Sequence, residues 1–457
     1  MRISLLILFL FPLVKVCAQY WEEVSFPSHW PYQIRSMYAD EESGRLWIGG
    51  WINSSYYNNE SLHMCYWDGS EMTCLDDEFG NLILAITKFQ GSIYVGGFLT
   101  SVNGEPCGLA RFDGEGFVPV ISENVGIWGL DVVDDYLVVS GSFTEIEGIP
   151  FNRIARFDGT TWSEMPGSFA PSSIMSANGV ARFNDAYVVF GNFYNYVDGQ
   201  EYRLISQYIN GAWQPMGNAL QGMAAPFSLE VFQGSLFLGG DFSVLAGNAG
   251  NMIQRWDGNS WHAVGGHLTD ELNSFSYTAS VRDFQIYHDK LYICGVFNFA
   301  GGMPAEGFVA WDGERYCSLP GIAQGATCMA VFQDELYCAA SRIIENGDTI
   351  QYLGRYTGGD YLVDCATVGV AEQGDAHSEG VTLFPNPLDE RLSIRWPVDF
   401  AAEELMITDI AGRVVLRESI PPQSQSFHMN VAMLAPGTYV VHLRNRGAWQ
   451  KAGRVVK

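Results

Sequence analysis

The residues able to do chemistry are scattered along the chain. The eight histidines, His29, His63, His262, His267, His288, His377, His428 and His442, show no spacing that suggests metal ligands. The chain has no H-E-x-x-H pair, no G-x-S-x-G elbow, no phosphate-binding loop and no EF-hand loop. These motifs place a base, a nucleophile or a set of oxygen ligands at fixed offsets, so their absence leaves no catalytic residue, metal or cofactor to nominate. Asp76-Asp77-Glu78 and Asp134-Asp135 are dense enough in charge to attract calcium, yet they read as solvated turns. Carboxylates far apart in sequence still converge in some folds, as the acid pair of a glycosidase does. A polysaccharide hydrolase or lyase with convergent carboxylates therefore stands as the alternative to a binding protein.

The cysteines are informative in a different way. Eight follow Cys17, an even number. Cys65 and Cys74 flank the turn at Asp68-Gly69, and Cys328 and Cys338 flank the turn near Gln333-Asp334. Both spacings suit cross-strand neighbours in a hairpin, either as disulfides or as two buried thiols. Cys317 and Cys365 fall at similar places in consecutive repeats and form the third candidate pair. Cys107 and Cys294 have no evident local partner. No C-x-x-C spacing of a zinc or redox site occurs.

The scaffold that must position any site is a repeat. Ile93-Tyr94-Val95-Gly96-Gly97-Phe98 and Leu236-Phe237-Leu238-Gly239-Gly240-Asp241 are copies of one apolar strand with paired glycines. Each copy is followed by an aromatic-Asp-Gly turn, as at Phe112-Asp113-Gly114 and Trp256-Asp257-Gly258. The turns or their variants recur at Asp68, Asp113, Asp158, Asn210, Asp257, Asp312 and Thr357, at spacings of 45 to 55 residues. That period, with four short β-rich runs per unit and no amphipathic helix, predicts an all-β fold: a β-propeller of about seven four-stranded blades. The strand at Tyr20 to Val24 resembles the last strand of a unit and is expected to close the ring in the final blade.

In such a blade the A–B and C–D turns share one face, and here they are short. The B–C and D–A connections share the other face and are long and varied: Trp51 to Ser61, Pro166 to Ala177, Tyr194 to Tyr202, Met216 to Pro226 and Gly265 to Ser280. Function concentrates on such loops. Trp51, Tyr56, Tyr57, Tyr194, Tyr196, His267 and Tyr277 are the ligand-binding candidates, because flat, partly apolar rings stack on sugars and peptide side chains. The tryptophans that recur in every unit, such as Trp256 and Trp261, are expected to fill space between blades instead.

The ends of the chain have a different texture. Arg2, the apolar run Ile3 to Val14 and the small residues before Gln19 have the form of a signal peptide over residues 1–18. No later stretch reaches the ~18 apolar residues of a membrane helix. Residues 19–380 carry 14 basic and 44 acidic side chains, and residues 381–457 carry 9 and 7. The acidic body argues against nucleic acid or an anionic membrane as partner, since both require clustered Lys and Arg. Residues 19–370 read as the propeller. Ala371 to Gly380 is polar and non-periodic, as a linker is, and residues 381–457 read as a separate C-terminal module of alternating strands without the blade motif.

Two resemblances follow. The Gly-Gly strand, the later aromatic and the repeat length resemble the kelch and galactose-oxidase-central-domain propellers over roughly Tyr32 to Cys365. The extra Ala-Arg-Phe/Trp-Asp-Gly element departs from strict kelch. Leu383-Phe384-Pro385-Asn386-Pro387, then Asp409, Gly412, Gly437-Thr438-Tyr439 and the terminal Arg454 to Lys457 resemble the type A sorting domain of type IX-secreted proteins of Bacteroidetes. Thr408 stands where that family often has Tyr. The resemblance implies a small C-terminal β-sandwich over residues 381–457, with a sorting motif of Pro385, Asn386, Pro387, Asp409, Gly412, Gly437, Tyr439 and Lys457. It also implies the type IX machinery and its surface sortase as partners, and delivery through the periplasm to the cell surface or the medium. The residues alone then lead to an exported binding protein that recognises glycan or protein through the long-loop face.

Overall fold

The computed structural model describes residues 20–26, 31–52, 64–171, 173–197, 200–218, 220, 224–270, 279–301, 303–319, 322–345, 348–357, 382–384, 391–397, 400–409, 414–422, 424–434, 438–445 and 448–457. Among them the regular structure is strand, apart from one 3-10 turn at Val244–Ala246. Residues 1–18, read above as a signal peptide, residues 371–380, read as a linker, and the Pro385-Asn386-Pro387 motif lie outside the described residues.

Seven antiparallel sheets succeed one another along the chain. Their first strands are Pro31–Asp40, Ile83–Phe89, Ile127–Val133, Ser173–Phe183, Ala225–Phe232, Ser280–Tyr287 and Cys328–Phe332. Each pairs with the next strand and so outward in sequence order, which is the connectivity of a propeller blade. The first strands also touch those of the blades on either side, lining a central channel. The seventh sheet contains Glu335–Glu345 and Asp348–Tyr356 and takes its outermost strand from the other end of the chain. Trp21, Glu22 and Glu23 pair with Tyr356, Arg355 and Gly354. Trp21 is 1% exposed, its ring 5.2 Å from Phe308 and 5.1 Å from Tyr356. Arg355 bridges Glu22 and Glu335 across this closure.

The repeat motif earns its form in these sheets. In five turns the aspartate Oδ1 accepts two backbone N–H groups. Asp68 bonds Ser70 and Glu71, and Asp257 bonds Asn259 and Ser260, all at 2.8 Å. Asp113, Asp158 and Asp312 do the same in their own turns. These donors favour the charged form and hold the Asp68, Asp113, Asp158 and Asp257 carboxyls below the usual range. The glycine that follows sits at φ near +100°, as Gly114 at 108° does. A second set of contacts ties blade to blade. Gln90, Gln233 and Gln333 donate their Nε2 to the carbonyls of Asp158, Asp312 and Asp68. The last of these joins blade seven to blade one. The paired glycines are places of close approach: a Cβ on Gly97 would lie 2.0 Å from the Leu82 carbonyl oxygen. Trp213, Trp261 and Tyr316 donate to the backbone carbonyls of Pro166, Met216 and Val264, fixing the connections that lead to those residues' own blades.

Cys65 and Cys74 sit directly opposite each other in Cys65–Trp67 and Met72–Cys74 and are disulfide-bonded. Cys317 is also disulfide-bonded, while Cys365 lies outside the described residues. The candidate Cys328–Cys338 bridge is corrected: both are buried free thiols. The hairpin register pairs Cys328 with Ala339 and Cys338 with Met329, so the two side chains point to opposite faces. The Cys338 thiol meets Cys294 of the preceding blade instead, and burial drives the Cys294 thiol far above its ordinary range. Cys107, buried in blade two, is pushed up to about 12 by the same desolvation.

The C-terminal residues form two facing sheets. One contains Thr382–Phe384, Arg391–Arg395 and Ser426–Asn430. The other contains Val414–Ser419, Ala402–Asp409, Thr438–Asn445 and Ala448–Val456. Leu392, Ile394, Leu405, Ile407, Val441 and Leu443, all fully buried, fill the space between them. Met406 and Thr408 alternate with this core and are also buried, at 0% and 1% exposure. Their strand is covered on both sides. Met406 and Trp449 pack against Phe299 of the sixth blade, which is 2% exposed.

Candidate functional site

The long-loop end of the propeller collects exposed rings. Trp51, at the end of Arg45–Ile52, is 45% exposed, and Tyr194 is 38% exposed. Tyr194 does not stand on a loop. The strands Ala186–Val197 and Gln200–Ile209 continue as a paired hairpin beyond the blade, and Tyr196 lies opposite Glu201 within it. The connection from Pro166 likewise becomes strand from Ser173 onward. His267 is half-buried rather than exposed. Its carbonyl accepts the Gly301 N–H at 2.8 Å, and desolvation lowers the imidazole pKa, favouring the neutral ring. Tyr56, Tyr57 and Tyr277 lie outside the described residues.

Three residues that the repeat pattern did not single out share this end. Trp128 is 40% exposed and packs edge-on against Phe98, with ring centroids 4.9 Å apart. Met175 is 67% exposed, beside the Asn192 amide. Ile149 tips the small hairpin formed by Glu145–Ile146 and Ile149–Pro150.

Inside the mouth the inner strands share a device. In six blades the pairing of first and second strand slips by one residue at the same point, opposite the paired glycines or their equivalents. The extra residues are Arg35, Leu84, Trp128, Asn178, Phe227 and Arg282 in blades one to six. In blade seven Thr327 occupies the matching position, its N–H on the Ala339 carbonyl and its hydroxyl on the Ile34 carbonyl of blade one. A β-bulge re-aims a side chain that regular alternation would bury. Beside the bulges of blades two, four and five the channel holds a cavity of about 240 Å3, whose polar walls include Ser36, Asp131, Asn178 and Ser228 and whose apolar walls include Leu84 and Phe227.

Two carboxyls on the channel wall are perturbed. Asp131 accepts the Val180 N–H of the next blade at 2.9 Å, and Asp283 accepts the Met329 N–H at 2.7 Å. Desolvation raises both to about 7 against these hydrogen bonds. Both retain some accessible surface along the channel. They lie three blades apart, and each spans to its neighbouring blade, so they act as staples rather than as a convergent acid pair. Among the described residues no three His, Cys, Asp or Glu side chains group to hold a metal. Asp77 is 8% exposed and accepts the Asn103 amide and the Phe117 N–H, which makes it a buried turn anchor and not a solvated ligand. Asp134 pairs with Arg182 and the Tyr187 hydroxyl.

In the C-terminal sandwich Asp409 and Tyr439 are cross-strand partners, and Tyr439 is buried. Lys457 ends the chain partly exposed. Gly412 and Gly437 lie outside the described residues. Residues 382–457 match the family model described as a secretion system C-terminal sorting domain. That tail marks the chain for export by the type IX route. Its destination is the cell surface or the medium, and no helix among the described residues is long and apolar enough to cross a membrane. No curated protein matches the chain.

Among solved structures, the extracellular domain of a one-component system of B. thetaiotaomicron is 11% identical, with a TM-score of 0.46, over 95% of this chain and 58% of that one. The β-propeller domain of the Trilobed protease of Pyrococcus furiosus is 12% identical, with a TM-score of 0.40, over 73% of this chain and 96% of that one. A GH74 enzyme of Niastella koreensis is 10% identical, with a TM-score of 0.38, over 92% of this chain and 65% of that one. The chain thus spans little more than half of the first of these proteins.

Proposed function

We propose that the chain is an exported binding protein that takes a glycan through the long-loop face of its propeller. The observation that carries this reading is that Trp51, Trp128 and Tyr194, all 38% exposed or more, stand at the same end of the molecule. Large rings exposed at one face mark recognition surfaces, and flat rings beside hydroxyl and amide groups suit a polyol better than an aliphatic chain. The hydroxyls of Ser36 and Ser228 and the amide of Asn178 supply such groups in the channel cavity. In this reading residues 1–18 are a signal peptide, the blades are kelch-like, and the sorting tail is the address read by the secretion machinery and its sortase of a Bacteroidetes-type host. The binding face and the tail are then separate devices, one for recognition and one for delivery.

The test is a panel of neutral and acidic oligosaccharides titrated by calorimetry, with product analysis on the same samples. Binding without cleavage, weakened about tenfold or more by Trp51→Ala or Trp128→Ala and not by Ile209→Ala near a turn of the opposite face, supports the reading. Release of reducing ends, abolished by a single carboxylate substitution on the long-loop face, would replace it with the hydrolase alternative.

A further inference from the structure

Two of the bulged residues at the channel mouth are arginines. Arg35 in blade one and Arg282 in blade six flank the seventh blade. Their placement repeats the same slip, after Ile34 and after Val281. Among the described residues neither guanidinium makes an ion pair within 4 Å, and the Arg35 Nε is buried without an acceptor. Arg282 lies over the ring of Phe227, its guanidinium carbon 4.3 Å from the centroid, and among the described residues no acceptor takes its N–H groups.

The two cations are close enough to repel. Burial depresses both, and the charge of Arg35 depresses Arg282 further. The acidic group felt by Arg282 is Asp241, whose carboxyl is raised by desolvation and lowered in turn by Arg282. Among the described residues the charged or titratable group that Arg35 feels is the Cys328 thiol. Two like charges held at one half-buried mouth cost free energy that an oxyanion between them would recover. Arginine forks match such an oxyanion in two-point geometry.

We infer that Arg35 and Arg282 form an anion clamp for a carboxylate on the bound glycan, so that the ligand class is a uronate-bearing oligosaccharide. The inference rests on the glycan reading above and makes it specific. The rest of the mouth suits a sugar around that carboxylate. Phe227 offers a ring face, Thr327 lies between the two arginines in blade order, and the channel cavity is lined by hydroxyls and an amide. The acidic body, net −26 for the whole chain, repels polyanions at long range. The clamp therefore selects a single carboxylate by contact, and long uronate polymers gain nothing over trimers per residue engaged.

The experiment titrates the full exported chain with galacturonate, mannuronate and glucuronate trimers and with their methyl esters, which keep the ring and remove the charge. At least one trimer is expected to bind, with its ester weaker by about tenfold or more. Arg35→Gln and Arg282→Gln should erase that preference, and Arg282→Lys should restore it only in part, because an ammonium lacks the fork. Unchanged melting temperatures show that the variants are folded. Equal binding of acids and esters, or full affinity in both glutamine variants, overturns the clamp. If neutral sugars then bind in a Trp51-dependent manner, the glycan face survives and only the uronate claim falls. No binding by any trimer, or capture only of a peptide through its free C-terminal carboxylate, also overturns it.

Discussion

The ring of Phe299, on the sixth blade, lies 6.4 Å from the ring of Trp449 in the C-terminal sandwich, with their planes tilted by 53°. Met406 and Val414 complete the cluster. The sorting sandwich therefore rests on the propeller through the outer face of its larger sheet, and its own core is unaffected by that contact.

Phe299→Ala should loosen this docking by roughly 3 kcal/mol, the low end for truncating a buried phenylalanine, since only one side of the cluster belongs to the propeller. Hydrogen exchange is expected to rise in Ala402–Asp409 and Ala448–Val456 while the blades stay protected. Unchanged exchange in those strands would mean that the contact contributes no coupling.

Ring closure depends on a strand far from its partners in sequence. Trp21→Ala removes a side chain packed between Phe308 and Tyr356 and should cost about 3–5 kcal/mol, seen as a lower urea midpoint. Gln333→Ala removes one exposed hydrogen bond to Asp68 at the same seam and should cost about 1 kcal/mol or less.

That closure, and the blades themselves, were legible in the sequence because each rests on a local rule. The Asp-Gly turns, the paired glycines and the orphan strand at Tyr20 to Val24 all have short-range physical reasons. The Cys65–Cys74 bond follows from its hairpin. For Cys328 and Cys338 the spacing left a bridge and two buried thiols open, and the thiols hold, because pairing register decides which side chains face each other and a spacing of ten residues does not reveal register. Arg35 and Arg282 were invisible as a pair. They are some 250 residues apart in the chain, and only the bulges and the circular order of blades bring them to one mouth. With hindsight a signal exists: the bulged residue lies twelve positions before the first of the paired glycines or its equivalent in blades two to seven.

The buried channel carboxyls should make stability fall as pH rises from about 4 to 7, against His267, whose lowered imidazole acts in the opposite direction as pH rises toward its ordinary value. Asp131 and Asp283 are held near 7 in the folded chain, against about 4 when unfolded. Over that window the folded state carries protons that the unfolded state has lost, so their contribution is full below the unfolded value and gone above the folded one. Glu230, Asp241 and Glu306 are raised by burial and act in the same direction. Asp40 is lowered by its bonds to Lys88 and Ser43, and with the turn aspartates it acts oppositely, but only as pH falls below the ordinary carboxylate value. Asp283→Asn should flatten the melting-temperature profile between pH 5 and 7; an unaltered slope would contradict this assignment.

The buried thiols should be silent until the chain opens. Cys107, Cys294, Cys328 and Cys338 are all buried and free, with Cys107, Cys294 and Cys328 raised by desolvation. Maleimide at neutral pH should label none of the four in the folded protein and all of them in denaturant, read by intact mass. Reduction of Cys65–Cys74 should cost about 2–3 kcal/mol, as expected for a short loop.

The central claim is that recognition takes place at the long-loop mouth. A crystal of the exported chain soaked with its best-binding oligosaccharide tests this most directly. The account predicts sugar density against Trp51, Trp128 or Tyr194, with its acidic group between Arg35 and Arg282. Density confined to the opposite face, around Val132, Val231 and Ile286, would contradict it.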